Sequence, residues 1–120
     1  IDMNDTHLAV GCYPGGSSFK VLELSSLSSP SYQTVPGQDC PSEVSLNEKG
    51  FFIPSDDKII GWNSISDALA GSSPTMSFGG RTDKTNMGTK MASGISWDGY
   101  HFWVGEYKFS NRLLGFLPSK

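Results

Sequence analysis

Three stretches of this chain align without a gap: "IDMNDTHLAVG" from Ile1, "VSLNEKGFFIP" from Val44 and "ISWDGYHFWVG" from Ile95. Self-similarity of this kind constrains a fold more than composition does, because it means one supersecondary unit built several times. Each copy opens apolar–polar–apolar, as Ile1-Asp2-Met3, Val44-Ser45-Leu46 and Ile95-Ser96-Trp97. That alternation is the mark of a strand with two different faces. An Asn or Asp follows at 4, 47 and 98. These side chains bond nearby backbone amides and favour tight turns, and Asp98-Gly99 is a strong hairpin signal. The copies then run apolar, as Leu8-Ala9-Val10, Phe51-Phe52-Ile53 and Phe102-Trp103-Val104. Successive apolar positions predict a strand covered on both faces.

A third strand is expected in every copy: "KVLEL" from Lys20, "KIIGW" from Lys58 and "RLLGF" from Arg112, each begun by a basic residue. A fourth is expected at Ser31–Val35 and at Thr75–Phe78, and "NSISDALAG" between them suits a short helical turn capped by Asn63 or Ser64. The third copy ends after its third strand. Four-stranded antiparallel meanders of this length have the size of propeller blades. The expected fold is therefore all-β: β-propeller blades in an incomplete ring. Blade 1 covers about 1–38, blade 2 about 39–91 and a partial blade 3 about 92–120. Because the chain starts and stops inside a repeat, the remaining blades are expected from a longer polypeptide or from other chains. The strand from Leu113 to Phe116 would offer them an open edge.

"SGISWDGYHFWVGEYKFSNRLLGF", from Ser93 to Phe116, resembles the NHL-type propeller repeat and its relatives. Those repeats place Gly before the first strand, Asp in the turn, an aromatic–aliphatic second strand, and Asn-x-Arg-apolar at the third. Gly94, Asp98, Trp103-Val104 and Ser110-Asn111-Arg112-Leu113 fill those places. The second copy matches more weakly, through Pro41, Asn47 and Asp57-Lys58. The resemblance implies a fold and not an activity, since such families include lactone and ester hydrolases, lyases and binding scaffolds.

Charge narrows the partners. Nine Lys and Arg against 12 Asp and Glu give a net charge of −3, which argues against nucleic acid, whose phosphates demand a basic patch. No apolar run approaches the ~18 residues needed to span a membrane. Two readings of Cys12 and Cys40 stay open: half-buried free thiols, or one disulfide in a secreted protein. Low charge and abundant Ser and Gly suit an extracellular or periplasmic location.

In a propeller, ligands sit where the loops joining strands two and three meet those joining strand four to the next blade. The loop "GGRTDKTNMGTKMAS" (79–93) is long and polar, and such loops on rigid scaffolds carry binding residues. Arg81, Asp83, Lys84, Glu106, Tyr107 and Lys108 are the candidate ligand contacts. His7 and His101 share one repeat position on the opposite face and are read as structural. Asn4-Asp5-Thr6 is a glycosylation sequon. With no catalytic constellation in view, a binding or scaffold module without a cofactor is expected, presenting loops to a protein, glycan or small ligand. The alternative is part of a metal-dependent, lactonase-like hydrolase or lyase. It would hold Ca²⁺ through hard oxygen ligands such as Asp56, Asp57 and Glu106.

Overall fold

The computed structural model describes residues 1–11, 20–38, 41, 43–55, 58–79, 92–106 and 113–117, with backbone alone at 92, 93 and 106. Alternating and apolar runs become eleven strands among these residues. They are β1 (Asp2–Met3), β2 (His7–Val10), β3 (Lys20–Glu23), β4 (Tyr32–Gln33), β5 (Ser45–Asn47), β6 (Gly50–Ser55), β7 (Lys58–Trp62), β8 (Met76–Gly79), β9 (Ala92–Trp97), β10 (Phe102–Glu106) and β11 (Leu113–Phe116). One short helix, α1 (Ile65–Leu69), lies between β7 and β8. The strands form three antiparallel sheets in chain order: β1-β2-β3-β4, β5-β6-β7-β8 and β9-β10-β11.

The registers of the first two strands coincide position for position. Asp2 faces Ala9, Ser45 faces Phe52 and Ser96 faces Trp103. The next rung pairs Met3 with Leu8, Leu46 with Phe51 and Trp97 with Phe102. The third strands do not all follow. Phe52 pairs with Gly61 and Trp103 with Gly115, but Ala9 pairs with Val21. Lys20 and Lys58 each begin a strand, yet Lys20 faces Val10 while Lys58 faces Ser55. The first sheet is thus displaced by two residues from the alignment of its lysines. A shift of two keeps every side chain on its original face, so the pattern of burial survives it.

The second sheet is buried on both faces, which explains its unbroken apolar runs. Phe51, Ile53, Ile60 and Trp62 join Ala9 and Val21 of the first sheet in one core cluster. Phe52 and Ile59 join Ile95, Phe102 and Val104 of the third sheet in another. Helix α1 adds Ile65 and Ala68 to the first cluster. Its start is fixed by Ser64, whose hydroxyl accepts from the Asp67 amide at 3.1 Å; Asn63 does not serve. Trp62 donates from its indole to the Ser72 carbonyl at 2.8 Å, tying down the chain that follows the helix.

Some boundaries differ from expectation. Strand β6 continues through Pro54 and Ser55, so the connection to β7 is only residues 56–57. Pro54 lies beyond the stretch of β6 that β5 pairs, and proline is tolerated in a strand where no ladder bond needs its amide. Strand β9 begins at Ala92 and β10 reaches Glu106, with a register shift between Gly105 and Glu106. Both loops around them are correspondingly shorter than the sequence suggests. The fourth strands are Tyr32–Gln33 and Met76–Gly79, shorter than or offset from the expected runs.

Candidate functional site

The turns between first and second strands gather at one end of the sheets. In the first, the Asn4 Oδ1 accepts from the Thr6 amide (2.9 Å), the His7 amide (2.8 Å) and the Thr6 hydroxyl (3.1 Å). In the third, the Asp98 Oδ1 accepts from the Tyr100 and His101 amides, both at 2.7 Å. Each loop is closed by the same backbone bond, Asn4 to His7 (3.0 Å) and Asp98 to His101 (3.3 Å). The second turn is tighter. Asn47 Oδ1 accepts from the Lys49 amide at 2.8 Å, and Gly50 takes the next position with a φ of 136°. A side chain there would collide with the Trp62 carbonyl, so only glycine fits.

Bonds between neighbouring sheets line up these turns. Asp2 Oδ2 accepts from the Leu46 amide at 2.9 Å. Glu48 Oε1 accepts from the Trp97 indole at 2.7 Å, and Lys49 Nζ stands 6.0 Å from the Trp97 ring centre. The Trp97 indole holds the Glu48 carboxyl below the usual carboxylate range. Between the first two turns lies an open recess of about 360 Å³ lined by Asn4, Asp5, Thr6, Asn47 and Glu48.

Asp98 also organises the far face of the third sheet. Its Oδ2 accepts from the Trp103 indole at 2.9 Å. The His101 amide first, then Trp103 and the Tyr100 amide, lower its carboxyl to about 2. The Trp103 ring lies across Gly115, and its outer surface remains half-exposed. Phe52 lies across Gly61 in the same manner in the second sheet, but there the ring is covered. Between the second and third sheets a cleft of about 340 Å³ is lined by Phe52, Met76, Phe78, Phe102, Phe116 and Leu117. Its aromatic rings touch, at 4.4 Å between Phe52 and Phe102 and 5.0 Å between Phe78 and Phe116.

The opposite end of the sheets carries the connections expected to bind ligand. Strands β2, β6 and β10 end there, and β9 starts there. Lys20 and Lys58 mark its rim, both exposed, with Lys20 Nζ 5.0 Å from the Tyr32 ring centre. Arg81, Asp83, Lys84, Tyr107 and Lys108 lie outside the described residues, as do Asp56, Asp57, Cys12 and Cys40. Glu106 is placed by its backbone alone, at the end of β10 beside the register shift. His7 and His101 sit in the turns at the other end, where each backbone amide and carbonyl helps close a loop.

Among the described residues, no group of three His, Cys, Asp or Glu is placed to hold a metal ion, and no helix is long and apolar enough to cross a membrane. What this part of the chain offers chemically is hydrogen-bonded turns and aromatic surface. No family model, curated protein or solved structure matches the chain.

Sequence reasoning did not anticipate the Trp97–Glu48 tie or the Trp103 ring held over Gly115. One signal for the second was visible. Glycine occupies the same place in "KIIGW" and "RLLGF", two copies whose second strand carries an aromatic residue at that rung, and not in "KVLEL", where the residue is Ala9.

Proposed function

We propose that the chain is a β-propeller segment serving as an extracytoplasmic binding or scaffold module. It presents loops to a protein, glycan or small ligand. One observation carries the reading: successive sheets stack in a constant direction. The forward-facing rung of the first sheet, Ala9, is buried against the second, and that of the second, Phe52, against the third. Trp103 is the same rung of the third sheet. Strands β1, β5 and β9, each first in its sheet, are neighbours in space. This is how blades fan about an axis. Arg81, Asp83, Lys84, Glu106, Tyr107 and Lys108 would then contact ligand at the end where β10 finishes and β9 begins.

Two measurements test this reading. Light scattering on the purified chain is expected to report association, because Trp103 is exposed and β11 is the outer strand of its sheet among the described residues. A stable monomer that melts cooperatively would refute the propeller assignment. A thermal melt with Ca²⁺ and with EDTA is expected to show no large difference. A large stabilisation by Ca²⁺ that EDTA abolishes would replace the scaffold reading with a metal-dependent hydrolase or lyase.

A further inference from the structure

We propose that Asn4 is an acceptor for an N-linked glycan. The turn of the first sheet is built from the sequon Asn4-Asp5-Thr6, and all three residues are exposed. The two other turns between first and second strands show what this loop does not need. The third turn makes the same closing bond and the same side-chain bonds with an acid, Asp98, in place of the amide. Neither Lys49 nor Tyr100, two positions after Asn47 and Asp98, carries the aliphatic hydroxyl that Thr6 supplies at the matching place. The third turn therefore closes with neither an amide nitrogen nor an aliphatic hydroxyl, yet here both occur in one turn, the Thr6 hydroxyl lying 3.1 Å from Asn4 Oδ1 and 2.8 Å from His7 Nδ1.

The local geometry suits the chemistry. All three hydrogen bonds of the turn that reach the Asn4 side chain land on Oδ1, and none uses Nδ2. The recess of about 360 Å³ beside Asn4 is lined by polar side chains and gives the first sugar a place to lie. The donor is an oligosaccharide linked to a polyprenyl diphosphate. Nδ2 attacks C1 of the first sugar, the N–C1 bond forms, the C1–O bond to diphosphate breaks, and Nδ2 gives up one proton. Glycans are bulky and keep to surfaces, so one at this turn shields that end of the sheets. It leaves the opposite end, where the ligand loops are proposed, free.

This inference rests on the extracytoplasmic placement proposed above, and the experiment separates the two. The full chain, fused to a cleavable secretory signal, is expressed in a eukaryotic secreting host and analysed by mass spectrometry before and after peptide-N-glycosidase treatment. The peptide ending at Lys20 should carry hexosamine-containing glycan, which the enzyme removes while converting Asn4 to Asp. Asn4→Gln and Thr6→Ala should abolish the modification, and Thr6→Ser should retain it. Secreted protein with unmodified Asn4 overturns the proposal. So does glycan that persists in Thr6→Ala. Because the host supplies the route, neither result depends on where the protein normally resides.

Discussion

Placing a methyl group at Gly61 probes the interface between the second and third sheets. An alanine Cβ at 61 would lie 2.5 Å from Phe52 Cε1, closer still to Cδ1, and 3.3 Å from the Phe51 carbonyl. Phe52 is 1% exposed and packed among Ile59, Phe78 and Phe102, so its ring can move only by giving up those contacts. Forcing a methyl into a packed core costs about 1–3 kcal/mol, and Gly61→Ala belongs at the upper end. Gly115 provides an internal control. There an added Cβ would sit 2.9 Å from Trp103 Cζ3, but Trp103 is 37% exposed, so its ring can tilt toward solvent about its bond to Asp98. Gly115→Ala should cost under about 1 kcal/mol, the usual range for changes that escape core strain. Denaturant unfolding at fixed protein concentration, with the slope unchanged, measures both. In thermal terms, the difference is a drop of several degrees in Tm at this chain length. In a Phe52→Ala background the cost of Gly61→Ala should largely vanish, since contacting residues are not additive. Equal losses at 61 and 115, or an undiminished loss without the Phe52 ring, would refute the steric argument.

Asp98 should keep its turn intact in acid. Its carboxyl is lowered to about 2 from 3.8, so its contribution is complete above the unfolded value and fades as pH falls through the folded one. Trp103 fluorescence should therefore change with a midpoint near pH 2, and Asp98→Asn should remove that transition while keeping the Oδ1 acceptor; a midpoint near 4 would contradict the geometry. Ser64→Ala should destabilise the chain by roughly 1 kcal/mol through loss of the α1 cap, with Ser64→Asp close to neutral in the same unfolding assay. Cys12 and Cys40, if bridged, close a loop that would stabilise the protein by roughly 3–4 kcal/mol on the entropic account. Non-reducing mass spectrometry should find them joined, and two free thiols would dispose of the bridge.

What could be read from the sequence was what is decided locally. Period-two alternation and an Asn or Asp acceptor suffice to set β1–β2, β5–β6 and β9–β10, and the register of these pairs matches the ungapped alignment. Ser64 could be nominated as a cap because the preference is a property of one side chain and the amides after it. The alignment of Lys20 with Lys58 misled, because register across β2 and β3 is settled by packing. Ala9 needs Val21 opposite it, whereas Phe52 and Trp103 need glycine. The Trp97–Glu48 bond joins residues 49 apart in sequence, a separation no local pattern encodes. The ligand candidates follow from loop position in the expected blade, from loop length and from charge, and none of these fixes where a side chain points.

The double burial of the second sheet has a consequence for how the molecule comes apart. The core side chains of the first sheet and those of the third fall in different clusters, and the second sheet belongs to both. The three units are therefore coupled in series, like links whose stability is the sum of their own terms and those of their contacts. Loss of an end sheet removes one contact, while loss of the middle removes two. Amides of β6 and β7 should accordingly exchange with solvent only when the whole assembly opens, while those of β3 and β11 exchange through openings confined to one link.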